Sequence, residues 1–449
     1  MPVKWIKLVA KIALALSILL ITAHSVATLV LEYRVRAKIA AIRAKGEPAS
    51  LADLHGKKIP DSENAAVIYD RIFKDSSSTA FMLLTSPNWM DQRKTNPQLW
   101  NEGREELAKK EGIIRDVEAA TSLPGCQFPV AADKHDWEVL NGLLFFRTGG
   151  LRHLARLLWV NAVFHAAEGD MDEAIRSVEL GFKLSDSLKD DPYLPRQLLR
   201  VALIRIASRS LQEALQCGGI NEKQAERLSD VLGRIRIDFD PVSHVVSERA
   251  IALYEFECIR RVGFPDVPAE SILSGPGGPN HPWRFMSTYV GRPFLYAYEL
   301  SYLDRESCRI EIVRSCKVLR CEELDSRPYH SGKADERELL RHLGRIKTTF
   351  YTGKAHVAGS QILLALAAYK DRFGTYPENL DELRSALGWK LPEDPFSGRD
   401  FLYKLQGNGF LLYSVGLNLK DDGGTEDYIK INKNDREQAD IIWRMAGDG

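Results

Sequence analysis

From Ile12 to Leu31 the chain reads IALALSILLITAHSVATLVL, with no Asp, Glu, Lys or Arg. As a helix rising ~1.5 Å per residue, the run is about 30 Å long, the thickness of a bilayer's hydrocarbon core. Nothing else limits the fold as strongly, because so apolar a segment has to leave water. Lys4, Lys7 and Lys11 precede it in a basic region, residues 1–11, placed in the cytoplasm. Arg34, Arg36 and Lys38 follow, so the basic flanks nearly cancel under the positive-inside rule. An N-in helix over residues 12–31 is the simpler arrangement, a single-pass anchor in the cytoplasmic (inner) membrane with the soluble part on the periplasmic side. The competing reading is a cleaved signal peptide with Ser25-Val26-Ala27 as its small-residue site. Against cleavage stand the length of the run and its unbroken passage into EYRVRAKIAAIRAKG. His24, inside the span, reads as an interfacial or helix-contact histidine rather than a proton carrier.

The rest of the 449 residues is too long for one ordinary core and predicts two or three domains. Its 45% hydrophobic and 27% charged residues are those of globular protein, so long disordered tracts are not expected. Lys+Arg equals Asp+Glu, and the basic excess that grips nucleic acid is missing. Cys126, Cys217, Cys258, Cys308, Cys316 and Cys321 include no C-x-x-C pair, although the last three are close enough in sequence to bond. Scattered buried thiols are the expectation rather than a disulfide framework.

A helix over Glu32–Lys45 is expected to leave the membrane and stop at Gly46 and Pro48, followed by mixed connector to residue 125 with a helix over Asn64–Phe73. Residues 126–270 form a helical domain. In it Leu154, Leu157, Leu158, Ala162 and His165 share one helix face, and Gly169-Asp170 separates that helix from a second, with Glu173 in capping-box register. Segments Ala155–Gly169 and Asp170–Leu184 have the layout of a tetratricopeptide-type hairpin, with Ala162, Gly169 and Ala174 where two helices approach closely. Asn221 and Gln224 cap a further helix through Arg234. A Pro/Gly linker covers residues 271–285, helices fill 286–350, and Asp335–Arg372 is helical. In residues 351–449 a long helix ends at Gly374 and Asn379–Ala386 forms a short one. Phe401, Tyr403 and Leu405 alternate toward an Asn408-Gly409 turn and a return strand, with another strand expected near Tyr428–Ile431. The fold class is therefore mainly α: a transmembrane helix, an all-helical middle domain and a small C-terminal α+β unit, a long helix on an antiparallel sheet.

Within that unit, ALAAYKDRFGTYP (Ala365–Pro377), LPEDPF (Leu391–Phe396), LYSVGLN (Leu412–Asn418), DDGG (Asp421–Gly424) and Asp440-Ile441 resemble the C-terminal domain of the major pseudopilin of type II secretion systems. The resemblance covers about Ala355–Trp443. It implies an assembly or secretion role rather than chemistry, and a calcium ion bound after the Tyr-Ser-x-Gly strand. Ligands would come from Asn418, Asp421, Asp422, Asp427 and Asp440, with a backbone carbonyl near Val415. Calcium chemistry agrees, since it takes oxygen ligands from flexible loops. An acidic solvated turn is the competing account. The chain lacks the family's prepilin-peptidase site, a Gly before an apolar stretch with Glu at its fifth position, so the unit reads as a module on a helical scaffold.

No H-E-x-x-H, G-x-S-x-G, G-x-G-x-x-G or P-loop occurs, and the Gly275–Pro282 stretch lacks the Lys-Ser/Thr that grips phosphate. Glu248-Arg249 and Glu322-Glu323 read as solvated helix faces or ordinary ion pairs. The expectation is a membrane-anchored envelope protein that binds protein partners through its helical domain and is not an enzyme. The alternative is a tethered hydrolase using a cleft of that domain.

Overall fold

The computed structural model describes residues 2–75, 96–129, 148–263, 282–315, 334–424 and 440–445. They are mostly helical, with one small antiparallel sheet near the C-terminus. They divide between two compact units, one drawn from residues 1–57 and 240–318, the other from 58–129, 147–239 and 319–449.

The first unit begins with α1 (Pro2–Ala44), which contains the whole apolar run and continues well past it. Apolar side chains from Trp5 to Val30 lie on the outside of the fold, as those of a lipid-facing helix do. Gly46, at φ +74°, then ends the helix. The unit is completed by α2 (Leu51–His55), α10 (Pro241–Arg261), α11 (Pro282–Met286) and α12 (Arg292–Ser315). Asp240 caps α10 by accepting from the amides of Val242 and Ser243, and Pro241 occupies its first turn. Val35 of α1 is buried with Tyr296 and Leu300 of α12, and Ile42 with Leu253 and Leu303. The linker expected over 271–285 falls outside the described residues up to His281, and its end is the helical turn α11.

In the second unit, α3 (Ala65–Asp75), α4 (Pro97–Ala108) and α5 (Glu111–Thr121) lead to α6 (Thr148–Ala167) and α7 (Met171–Asp186). These last two form a helical hairpin, its turn at the expected Gly169-Asp170. Gly169 takes φ +85° at the turn, and the Asp170 side chain accepts from the Glu173 amide. The apolar face of α6 is wider than its sequence period suggests. Leu154, Leu157, Leu158 and Ala162 are buried, and so are Ala155, Val160, Val163 and Phe164, because α7 and α8 (Leu194–Cys217) both pack on it. α7 and α8 come close at Gly181, where a Cβ would meet the Ala207 methyl at 3.2 Å. Next, α9 (Glu222–Arg234) opens with a full Asn221–Gln224 capping box.

The long helix α13 (Ala334–Phe373) packs on α8 and α9 and also carries the sheet. It stops at Gly374, φ +78°, before α14 (Leu380–Leu387), capped by Asn379. Strands β1 (Leu402–Gln406), β2 (Gly409–Ser414) and β3 (Ile441–Met445) run antiparallel in the order β1-β2-β3, with Leu412 opposite both Tyr403 and Trp443. The hairpin turn is Gly407-Asn408, one residue earlier than expected, because Gln406 pairs with Gly409 and Gly407 supplies the positive φ of +58°. The strand expected at Tyr428–Ile431 lies outside the described residues, and the third observed strand comes later. Sheet and helices share one core, in which Phe410, Leu412 and Trp443 join Ile362, Leu366, Ile204 and Leu228.

Among the described thiols only Cys258 is buried. Cys126 is half-buried and Cys217 and Cys308 are exposed, which corrects the expectation of buried thiols throughout.

Candidate functional site

A cleft of 660 Å³ opens in the second unit where the α6–α7 turn, the start of α9, the end of α13 and the sheet meet. Its walls follow from the local stops already described. Gly169 ends a helix and Gly219 follows another, both leaving space, and Asp170 and Asn221 begin the next ones. The floor is apolar, with Leu215, Ile220, Leu363, Ala367, Phe410 and Met445. The rim is acidic, since Asp170, Asp172 and Asp371 face Lys370 as the one cation of the lining among the described residues. Each rim carboxylate is positioned by a hydrogen bond. Asp170 accepts from the Glu173 amide at 3.2 Å, Asp371 from the Glu222 amide at 3.1 Å and Asp172 from Gln224 Nε2 at 2.5 Å. Lys370 lies over the Tyr376 ring, its Nζ 4.8 Å from the ring centre. An apolar floor under an oriented acidic rim can hold an apolar side chain flanked by positive charge. Among the described residues, the lining contains no histidine, cysteine, serine or threonine.

Beyond β2 lies the loop read as a calcium site. Asp421 Oδ1 accepts from the Tyr413 hydroxyl at 2.7 Å and the Gly423 amide at 2.9 Å. Asn418 Nδ2 donates to Asp422 Oδ2 at 2.7 Å, and Asn418 Oδ1 accepts from the Lys420 amide. Asp440, just ahead of β3, accepts from the Gly424 amide through Oδ2 at 2.9 Å. Its Oδ1 is buried with no hydrogen-bond partner among the described residues. Burial raises the Asp440 pKa, and the nearby Asp422 and Asp421 charges raise it further. Leu419 sits at φ +57°, an unusual backbone for leucine. Asn418, Asp421, Asp422 and Asp440 are thus gathered at one end of the sheet, while Asp427 lies outside the described residues. The donor set fits a hard cation, and the orphaned Asp440 oxygen is what such an ion would satisfy. The spacing is that of an open loop, since Asp421, Asp422 and Asp440 do not bring one oxygen each within 4.8 Å of the other two.

Asp394, in the LPEDPF stretch, was not singled out from sequence. It is 1% exposed and accepts from the Phe396 amide at 3.0 Å, Ser414 Oγ at 2.8 Å, Ser397 Oγ at 3.2 Å and the Val415 amide at 3.3 Å. It fixes where β2 ends and the acidic loop begins. Its sequence signals were an Asp-Pro pair in a turn and its place in the LPEDPF stretch.

The first unit collects buried charge. Arg249, 1% exposed, pairs with Glu47 at 2.8 Å, and Arg314 reaches the same carboxylate at 2.6 Å. Burial works against the charged form of Glu47, but hydrogen bonds from Arg314 and Arg249 outweigh it and its pKa is lowered. Arg260 bonds Glu299 and Glu257. Glu248 has 29% of its side-chain surface open and lies 3.4 Å from His244 Nε2. Burial and then the Glu306 carboxylate push Glu248 up to about 7. Glu306, bonded to Arg309 at 2.9 Å, is also raised by burial. The Glu248-Arg249 pair is therefore not a solvated face, and Arg249 is an ion-paired core residue. Glu322-Glu323 lies outside the described residues.

Compared with known proteins, the chain matches no family model, no curated sequence and no solved structure.

Proposed function

We propose that the chain is a membrane-anchored, non-enzymatic interaction protein of the cell envelope, whose second unit captures a partner segment with an apolar residue flanked by Lys or Arg. The cleft carries this reading, since its apolar floor and acidic rim specify a ligand by shape and charge. The pseudopilin-like stretches belong to the same proposal. Phe410 and Met445 of the sheet line the cleft beside the hairpin turn, so the terminal module would complete the partner site and serve assembly or secretion. Calcium is proposed as its ligand, held by Asn418, Asp421, Asp422 and Asp440 with Asp427, to supply positive charge that ties the loop to β3. The apolar run of α1 would anchor the chain, with both units outside the cytoplasm.

Panning a displayed peptide library on the full chain in nanodiscs tests the reading. Enrichment of basic-flanked apolar sequences, lost on Ala367→Arg, supports it. Enrichment without charge preference, or none, overturns it.

One observation favours the tethered hydrolase, namely His244 beside Glu248, which with Glu306 makes two raised carboxylates and a histidine in one neighbourhood. Hydrolysis of ester or peptide panels that disappears in Glu248→Gln would establish that alternative. Turnover unaffected by Glu248→Gln would dismiss it.

A further inference from the structure

α12 lies along the second half of α1 at a nearly constant sequence offset. His24 Nε2 meets the Val290 carbonyl at 3.2 Å, Ser25 Oγ meets the Tyr289 hydroxyl at 3.3 Å, Lys38 pairs with Asp304 and Arg314 with Glu47. Val35 is buried against Tyr296 and Leu300. The two helices therefore run parallel, and the depth of each residue before and along α12 can be read from its neighbour on α1. The apolar run ends at Leu31, seven residues after His24. At ~1.5 Å per residue, the Tyr289-Val290 turn lies about 10 Å inside the end of that run.

The surface there is apolar. Tyr289, Val290 and Phe294 are each 58–60% exposed, and Phe285, also exposed, packs on Phe294 with ring centres 5.8 Å apart. Tyr289 faces the His24 ring at 4.9 Å. Several of the turn's polar groups are bonded within it, which lowers the cost of entering lipid. Thr288 donates its amide and hydroxyl to the Phe285 carbonyl, Ser287 Oγ donates to Arg284, Gly291 N–H to Thr288 and Phe294 N–H to Gly291. A Cβ on Gly291 would lie 1.9 Å from the Phe285 carbonyl oxygen, so only glycine permits this closure. Arg284 and Arg292 are its two charges, and the long stem of the exposed Arg292 lets its guanidinium reach lipid headgroups.

We propose that residues 285–294 form a second membrane contact, an aromatic lobe inserted beside α1 into the boundary between headgroups and acyl chains. The protein would then hold the bilayer by one spanning helix and one interfacial wedge, fixing the tilt and rotation of the first unit at the surface. Interfacial elements bury their apolar face ~5–10 Å deep, which agrees with the depth read from His24. The inference rests on the anchor reading of α1.

The test is photocrosslinking of the full chain in phospholipid vesicles. p-Benzoylphenylalanine replaces Tyr289 in one sample and Leu20, in the apolar run, in another. Lipid adducts at both positions are expected, with the Tyr289 adduct lost in a Phe285→Asp, Phe294→Asp background. Lipid adducts at Leu20 alone, or a crosslink from Tyr289 to a second copy of the chain, overturn the lobe and leave the anchor standing. No lipid adduct at Leu20 overturns the anchor reading and the lobe with it.

Discussion

The indole N–H of Trp443 donates to Ser208 Oγ at 3.2 Å, joining β3, at the far end of the sequence, to the middle of α8. Ser360 Oγ donates to the same hydroxyl at 2.9 Å, and His356 Nδ1 lies 3.4 Å from it. Burial, then Arg205, keeps His356 well below the usual histidine pKa, so the ring is neutral here. Ser208 is itself buried and bonded on all sides, so this serine–histidine pair reads as a structural knot rather than a nucleophile and its base.

Gly359 backs that knot, since a Cβ there would lie 2.4 Å from Trp443 Cζ2. Gly359→Ala is expected to destabilise the second unit by about 1–3 kcal/mol through overpacking. Hydrogen exchange of β3 and α13 should both quicken, and faster exchange in β3 alone would show that sheet and helix do not share a core.

Asp394→Ala leaves two amides and two hydroxyls without their acceptor. Losing hydrogen bonds to a buried carboxylate should cost roughly 2–4 kcal/mol. Asp394→Asn, which keeps one of the two acceptor oxygens, should lose less. Thermal melts of the two variants check the order.

Calcium should raise the melting temperature of the full chain, and Asp440→Asn or Asp422→Ala should abolish the rise. At 100 times the dissociation constant the stabilisation would be about 2.7 kcal/mol. An unchanged melt with calcium and with chelator would reduce residues 418–424 to a solvated turn.

The Glu248 carboxyl predicts the opposite of ordinary acid denaturation. Its folded pKa of about 7 is above the ordinary 4.5, so the folded state binds more protons between those values. Stability of the first unit should therefore fall as pH rises from 4.5 through 7, by on the order of 1–3 kcal/mol, and level off above. Glu248→Gln should flatten that slope. Exchange rates along α10 at several pH values, corrected for intrinsic exchange, provide the measurement.

Most helices were legible because their stops are local. Gly46, Gly169, Asn221, Gly374 and Asn379 each act through their own backbone or cap, and each stands where expected. The cleft was hidden because its floor comes from Leu215, Leu363, Phe410 and Met445, which only tertiary packing brings together. The pairing of Arg249 with Glu47 was invisible for the same reason, since two hundred residues separate the partners. The acidic loop and Asp440 were legible as donors, but their spacing was not.

The most direct test of the partner site is titration of the full chain with two peptides of one apolar core, flanked by Lys in one and by Glu in the other. The Lys-flanked peptide should bind, and Asp172→Asn with Asp371→Asn, which keeps both hydrogen-bond acceptors, should weaken it about tenfold, or roughly 1.4 kcal/mol. Equal affinity for the two peptides, or no effect of removing the rim charges, would contradict the account.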